Sequence, residues 1–302
     1  MRKYSLLLTL IFILTTQLGF SADKIKALIV DGVNNHNWQL TTAATKATLL
    51  KSGRFDVDVS TSPDKKASKE EWAKWKPEFS KYDVVVSNFN DGGKTLWSKP
   101  TQEAFEAFVK NGGGFVPVHA ADNSSNDWPA YNEMIAVGGW GGRMAGVSGS
   151  LLRLEDGKWK ASSPDEGKSG SHGPQRNYLV VHDQPEHPIL KGLPKEWMHA
   201  KDELYNSLRG PAKNVEVLAH AESLQSKANE PMLMIISYGK GKVAHIPMGH
   251  YNKEACECVG FQTLFARSTE YVATGKVTIA MPKNFPGKDT PVIVQPEELV
   301  WP

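Results

Sequence analysis

Three histidines follow short apolar segments in separate parts of the sequence. His36 comes after the first run rich in isoleucine and valine, His119 lies near the end of "GGGFVPVHAA", and His250 follows "GKVAHIPMG". An imidazole at the end of a buried strand can take or give a proton in catalysis. Neutral imidazoles beside a carboxylate can also hold a divalent metal ion. We therefore predict that His36, His119 and His250 are catalytic, with a divalent-metal site as an alternative use of the same side chains.

The segment "KDELYNSLRG" supplies the carboxylate that either chemistry needs. We predict that Glu203 is catalytic, with either Glu203 or His119 acting as the base that removes a proton. Asp202 and Tyr205, in the same segment, are predicted to bind substrate. The other candidate substrate-binding residues are Asn34, Trp38, Asn88, Asn90 and Trp140.

Apolar runs and helical patterns alternate in the first half of the chain. The apolar runs lie at 24–32, 56–61, 82–89 and 113–121, and the helical patterns at 38–52, 68–80 and 101–111. Strands that are apolar on both faces and separated by helices predict an α/β fold, in which helices cover a parallel sheet. Ligands of such sheets bind at the carboxyl ends of the strands, which is where most of the candidate residues lie.

The second half of the chain contains more strands and fewer helices. Further strands are predicted at 176–183, 214–221, 231–239 and 241–249, followed by a helix at 259–276. We read 138–176, which is rich in glycine and serine, as loops around one hairpin that turns at Asp156-Gly157. The last two strands are predicted to form a second hairpin.

The N-terminus predicts export. Residues 1–22 combine a basic start, an apolar stretch and small residues near the end, as in a signal peptide, so we expect a periplasmic or secreted protein with no membrane association after cleavage. The remaining chain is divided into a domain at 23–280 and a proline-rich C-terminal strap at 281–302. We also expect that the protein could form a homo-oligomer.

Several function classes are disfavoured by composition and motifs. Lys plus Arg (35) nearly balances Asp plus Glu (33) without a basic stripe, so we expect no nucleic-acid partner. The glycine-rich "GGWGG" and "GKGK" do not match dinucleotide or phosphate loops, so no nucleotide cofactor is expected. No G-x-S-x-G is present, and Cys256 and Cys258 are read as buried free thiols.

Four other histidines are assigned to other roles. His245 is predicted to be a core residue because it lies within an apolar strand. His172 and His199 are predicted to be solvated in loops, and His187, which precedes a proline, to lie in a turn.

Five stretches in order resemble the ThuA-like (trehalose-utilisation) family of the class I glutamine amidotransferase-like superfamily. They are "GGGFVPVHAA", "GGW", "HPILKGLPKEWMHAKDELY", "YGKGKVAHIPMGH" and "GFQTLFARSTEYVATGKV". The resemblance covers about residues 25–280 and implies a flavodoxin-like three-layer sandwich with a mostly parallel central sheet. The superfamily's amidotransferases carry a nucleophilic cysteine where this chain has His119, so glutamine amidotransferase activity is not expected.

The resemblance also implies a small-molecule carbohydrate substrate. The family's polar motif positions fall on His36, His119, Asp202, Glu203, Tyr205 and His250. We therefore predict an exported enzyme of carbohydrate catabolism that acts on a glycoside or 3-keto-sugar by acid–base or metal-assisted chemistry. A non-catalytic carbohydrate-binding accessory protein remains the alternative, and apart from the metal ion no cofactor is implied.

Overall fold

The computed structural model describes residues 23–250 and 252–302, so the predicted signal peptide at 1–22 lies outside the described part of the chain. The strands are β1 (Ile25–Asp31), β2 (Phe55–Thr61), β3 (Val84–Ser87), β4 (Gly114–Pro117), β5 (Ser150–Glu155), β6 (Lys158–Ala161), β7 (Ser171–His172), β8 (Arg176–His182), β9 (Glu196–Asp202), β10 (Tyr205–Asn206), β11 (Arg209–Gly210), β12 (Val215–Ser223), β13 (Ala228–Tyr238) and β14 (Gly241–His245). The α-helices are α1 (Trp38–Lys51), α2 (Lys69–Lys74), α3 (Lys99–Lys110), α4 (Pro129–Ile135), α5 (Lys253–Cys256) and α6 (Val259–Thr274).

A nine-stranded sheet forms the centre of the molecule, in the order β2-β1-β3-β4-β14-β13-β12-β8-β9. The pairings from β2 to β14 are parallel, whereas those from β14 to β9 are antiparallel. The α/β prediction is therefore confirmed, but the expectation of a mostly parallel sheet is corrected to a mixed sheet. Parallel neighbours need long crossover connections, and the second half of the chain has short turns instead, such as the one between β13 and β14.

Helices cover both faces of the sheet. On one face, Leu49 of α1 and Phe265 of α6 belong to the same apolar cluster as Ile29 of β1. On the other face, Phe105 of α3 clusters with Val85 of β3, together with side chains from α2 and α4. Successive residues of a strand point to opposite faces, so these strands must be apolar on both sides, as the sequence predicted.

The predicted hairpins are confirmed. β5 and β6 pair antiparallel around Asp156 and Gly157, which both adopt positive φ, and β13 pairs with β14. Strand β9 was not predicted, because its sequence "EWMHAKD" mixes charged and apolar residues. His199 lies within it and is fully buried, so the prediction that His199 is solvated in a loop is wrong.

Backbone hydrogen bonds hold the C-terminal residues against the start of α6. The amide of Val259 donates to the carbonyl of Val292, and the amide of Val294 donates to that of Glu257. The side chain of Gln262 also donates to the carbonyl of Val294. In the part of the chain that the structure describes, no helix combines the length and apolar character needed to cross a membrane.

Buried His182 links the fold's stability to pH. Its Nε2 accepts a hydrogen bond from Trp197 Nε1 at 3.0 Å, which requires an unprotonated Nε2. Burial lowers the pKa of His182 to about 4, with Arg267 adding to this effect and Asp183 opposing it. Between pH 6.5 and about 4 the unfolded chain therefore binds a proton that the folded chain refuses, and stability falls with acidification.

We predict that the His182→Gln variant, which keeps an acceptor for Trp197 but cannot titrate, has a shallower pH dependence than the wild type. The difference in slope should approach about 1.4 kcal/mol per pH unit between pH 6 and 5, from denaturant unfolding at each pH. Above pH 7, where His182 is neutral in both states, the two slopes should agree. Equal slopes between pH 6 and 5 would contradict this assignment.

Candidate functional site

The ends of strands from both halves of the sheet meet at one edge. His36 follows β1, His119 follows β4 and His250 lies beyond β14. β9 runs in the same direction as β14, because four antiparallel pairings separate them, through β13, β12 and β8, and an even number of reversals restores the direction. The carboxyl end of β9, which carries Glu203, is therefore at the same edge as the three histidines.

The three imidazoles pack against one another. Ring centroids are 4.7 Å apart for His36 and His250, and 5.2 Å apart for each of the other two pairs. Glu203 completes the group, with Oε1 at 3.1 Å from His250 Nε2 and Oε2 at 3.8 Å from His119 Nε2. One ligand atom from each of the four side chains lies within 4.8 Å of every other.

Backbone contacts fix the orientation and tautomer of His119. Its Nδ1 lies 2.7 Å from the carbonyl oxygen of Pro247, and because a carbonyl can only accept, Nδ1 must carry the proton. Nε2 therefore holds the lone pair, and this buried atom has no hydrogen-bond partner among the described residues. A hydrogen bond from the second ring nitrogen to a carbonyl is the usual way in which a metal-binding histidine is oriented.

His119 also adopts an unusual backbone conformation. Its φ is +45°, in the left-handed region that non-glycine residues rarely occupy. This conformation begins the short 3₁₀ turn His119–Asn123 directly after β4. Strain of this kind is concentrated at functional sites, where the surrounding structure holds it in place.

The charge state of the cluster suits a metal ion. Burial, with help from His119 and His250, lowers the pKa of His36 to about 3, and burial likewise lowers the pKa of His119. Burial alone would raise the pKa of Glu203, but the hydrogen bond and charge of His250 bring it below its usual value. The cluster thus contains neutral imidazoles at His36 and His119 and an ionised carboxylate, the forms that coordinate metal.

Asp202 lies behind the cluster and ties two strand ends together. It is fully buried and accepts hydrogen bonds from the backbone amides of Gly249 (2.8 Å), His250 (3.2 Å) and Glu203 (2.7 Å). His199 Nε2 lies 2.7 Å from the same carboxylate. Asp202 was predicted to bind substrate, but its contacts are those of a residue that positions Glu203 and His250.

A cavity of about 380 Å³ opens beside the cluster and is lined in part by His36 and Glu203. One wall is aromatic, with ring centroids of Trp140 and Tyr205 4.6 Å apart and those of Tyr205 and His119 4.1 Å apart. Another wall carries the amide side chains of four residues: Asn34, Asn35, Asn90 and Asn123. Rings offer flat apolar faces and amides offer donors and acceptors, so the cavity suits a polar, hydroxylated molecule.

A larger hollow of about 640 Å³ lies at the opposite edge of the sheet. It is lined by Tyr82, Asp83 and Gly113, which immediately precede β3 and β4, and by an exposed ion pair between Lys81 and Glu78. Ligands of α/β sheets bind at the carboxyl ends of the strands rather than at this edge. The smaller cavity beside the histidines is therefore the candidate site.

Comparison with known proteins places the chain in a family. Residues 26–272 match the family model ThuA, described as trehalose utilisation. The chain belongs to the ThuA family. No curated protein sequence matches it significantly.

Two solved structures of ThuA-like proteins resemble this ThuA chain. One, from Parabacteroides merdae, has 39% sequence identity and a TM-score of 0.85, over 91% of this chain and 99% of the other. The second, from Bacteroides uniformis, has 22% identity and a TM-score of 0.55, over 86% and 97% of the two chains. At that lower identity the second likeness concerns the fold alone.

The fold brings four of the seven predicted substrate-binding residues to the cavity. Asn34, Asn90, Trp140 and Tyr205 line the cavity. The remaining three predicted residues, Trp38, Asn88 and Asp202, do not. Trp38 begins α1, and its carbonyl accepts a hydrogen bond from Asn88, whose side chain also bonds to Thr42.

Seven of the cavity residues were not among the predicted site residues, and four of these seven have polar side chains: Asn35, Lys65, Asn123 and His172. Lys65 lies in the loop after β2. The signal that could have identified it is this position beyond the carboxyl end of a strand, where ligands of such sheets bind. His172 was predicted to be a solvated loop residue; its side chain is 38% exposed, but Nε2 is 3.7 Å from Glu203 Oε2. The glycine-rich segment around His172 carries no pattern that places it beside β10.

We predict that replacing Asp202 weakens metal binding by this ThuA chain. In the Asp202→Asn variant a neutral amide meets three backbone N–H groups and His199, so Glu203 and His250 lose their fixed positions. Loss of such a supporting hydrogen-bond partner typically reduces metal affinity 10- to 100-fold. Competition with a chelating indicator, using Zn²⁺ and Co²⁺, measures the change.

The matched control is Asp183→Asn, which removes a carboxylate that pairs with His220 away from the cluster. This control should keep wild-type metal affinity. If Asp202→Asn, folded by circular dichroism, also binds both ions as tightly as the wild type, Asp202 has no positioning role.

Proposed function

We propose that this protein is an exported, metal-dependent enzyme of carbohydrate catabolism that acts on a glycoside or a 3-keto-sugar. One observation carries the proposal: His36, His119, Glu203 and His250 place ligand atoms within 4.8 Å of one another beside a cavity. Export is inferred from the signal-peptide pattern of residues 1–22. The carbohydrate substrate is inferred from membership of the trehalose-utilisation family and from the character of the cavity walls.

The donor set supports a divalent ion of the zinc type. Three imidazole nitrogens and one carboxylate oxygen are ligands that zinc and similar transition metals accept. The buried Nε2 of His119, which has no hydrogen-bond partner within residues 23–250 and 252–302, would gain a partner by coordination. A catalytic metal site also needs an open side, and the cavity bordered by His36 and Glu203 provides it.

The walls of the cavity would bind the sugar. Trp140 offers a ring face for the C–H surface of a pyranose, with the buried ring of Tyr205 packed behind it, while Asn34 and Asn90 offer amides for its hydroxyl groups. Trp140 has a backbone φ of +41°. The next residue, Gly141, lies so close to Gly93 that a Cβ added at Gly141 would be 2.9 Å from the Cα of Gly93. Together these groups would orient one sugar unit towards the cluster.

The chemistry proposed for a 3-keto-sugar is removal of an acidic proton. The hydrogen on C2 is acidic because it neighbours the carbonyl at C3, and its loss leaves the electron pair delocalised onto the carbonyl oxygen. A bound divalent ion would act as a Lewis acid that stabilises this negative charge. Departure of the oxygen on C1 would then break the glycosidic bond and form a double bond between C1 and C2, and the departing oxygen would take a proton from solvent to leave as an alcohol.

His172 is placed to accept that proton in this scheme. Its Nδ1 lies 2.8 Å from the carbonyl oxygen of Gly173 and therefore carries the proton, which leaves the lone pair on Nε2. Nε2 is 3.7 Å from Glu203, at the edge of the cluster but outside the set of converging ligand atoms. Because its side chain is partly exposed, His172 can pass the proton on to solvent.

We predict that disaccharides or their 3-keto derivatives are converted to products only by the metal-loaded protein. Mass spectrometry after incubation with and without chelator detects the new species, and added Zn²⁺, Co²⁺ or Mn²⁺ should restore them. His119→Ala and Glu203→Gln should abolish turnover, since each removes one of the four ligands. His187→Gln, which changes a histidine of the turn between β8 and β9, is the control with unchanged activity.

Two outcomes would count against the proposal. Unchanged turnover in both His119→Ala and Glu203→Gln would reject the assignment of these residues. Saturable sugar binding without any product, and with tolerance of His119→Ala, would instead support a carbohydrate-binding accessory protein.

A further inference from the structure

Charged side chains are few in the cavity. Of the described residues that line it, Lys65 is the only lysine or arginine and Glu203 the only aspartate or glutamate. Glu203 is already engaged by imidazoles, since its carboxylate contacts His250, His119 and His172. Among the described residues, a substrate that enters this cavity therefore meets one ammonium group and one carboxylate, and the carboxylate is already in contact with imidazoles.

Lys65 is an exposed residue at the mouth of the cavity. It lies in the loop between β2 and α2, at the edge of the sheet where the strands end. Its Nζ lies close to Gly92: a Cβ added at Gly92 would be 3.3 Å from this nitrogen. The φ of Gly92 is +79°, which disfavours any residue other than glycine. Within the described residues, Lys65 forms no ion pair, so its charge is available to a ligand.

The proposed metal ion would make the cavity more positive. One carboxylate cannot neutralise a divalent cation, and the other three proposed ligands are imidazoles, which add no negative charge. Lys65 then adds to the excess positive charge rather than balancing it. Cavities with an excess of one sign concentrate ligands of the opposite sign.

We infer that the sugar bound here carries an anionic group that is recognised by Lys65 at the mouth of the cavity. The inference rests on the proposed function, since it assumes the metal ion beside Glu203. The ligand is a sugar unit whose ring lies between the aromatic and amide walls, with a carboxylate or phosphate directed towards Nζ of Lys65. A carboxylate and a phosphate share this chemistry, and the experiment below separates them.

The test compares three probes on protein loaded with Zn²⁺: methyl glucuronide, methyl glucoside and glucose 6-phosphate. The first two differ only in whether C6 is a carboxylate or a hydroxymethyl group. Calorimetric titration of the wild type should give tighter binding of at least one anionic probe, by about tenfold, as expected for one charge-assisted hydrogen bond. The preferred anionic probe identifies the group as carboxylate or phosphate.

The variant Lys65→Gln should lose this preference and bind the anionic probe about as weakly as methyl glucoside. The control is Lys66→Gln, which removes the adjacent exposed lysine that does not line the cavity and should behave like the wild type. The preference of the wild type should also shrink as salt is raised, because exposed charges are screened.

Equal affinities for charged and uncharged probes, binding of none of them, or an unchanged preference in Lys65→Gln would overturn the inference. Metal content and metal affinity are measured first for all three proteins. Failure of the wild type to bind metal would overturn the proposed function and this inference with it. Normal metal binding without an anionic preference would overturn the inference alone.

Discussion

The hydrogen bond between His119 Nδ1 and the carbonyl of Pro247 determines what this site can do. It joins the residue after β4 to the segment after β14 at 2.7 Å and leaves the Nε2 lone pair facing Glu203. With the opposite tautomer, Nε2 would carry a hydrogen and could not coordinate a metal ion. The chemistry proposed here thus depends on one backbone carbonyl whose position is set by the central sheet.

The site concentrates unfavourable contributions to the free energy of folding at a few residues. A buried acceptor without a partner, such as His119 Nε2, costs about 1–3 kcal/mol, and the positive φ of the same residue costs a similar amount, of order 1–3 kcal/mol. Asp202 offsets part of this by bonding the backbone of Glu203, Gly249 and His250. A fold that keeps an unsatisfied nitrogen beside a carboxylate and two further imidazoles is better explained by a bound cation than by stability alone.

The sequence predicted the parts of the site that depend on parallel strands. His36, His119 and His250 follow apolar runs, and the rule that ligands bind at the carboxyl ends of strands is enough to bring them together. Strand β9 was not predicted, because its sequence mixes charged and apolar residues without strict alternation, so the contacts of Asp202 behind the cluster were missed. His172 depends on pairing between the two-residue strands β7 and β10, which carry too few residues to produce a pattern.

Anomalous X-ray diffraction from crystals grown with Zn²⁺ or Co²⁺ would show whether the histidine cluster holds a metal ion. We expect one strong anomalous peak per chain, within about 2.0–2.2 Å of a ligand atom from each of His36, His119, Glu203 and His250. Nδ1 of His119 should still bond to the carbonyl of Pro247. A cluster without a peak under these conditions, or an ion bound only elsewhere on the protein, would rule out the metal site proposed here.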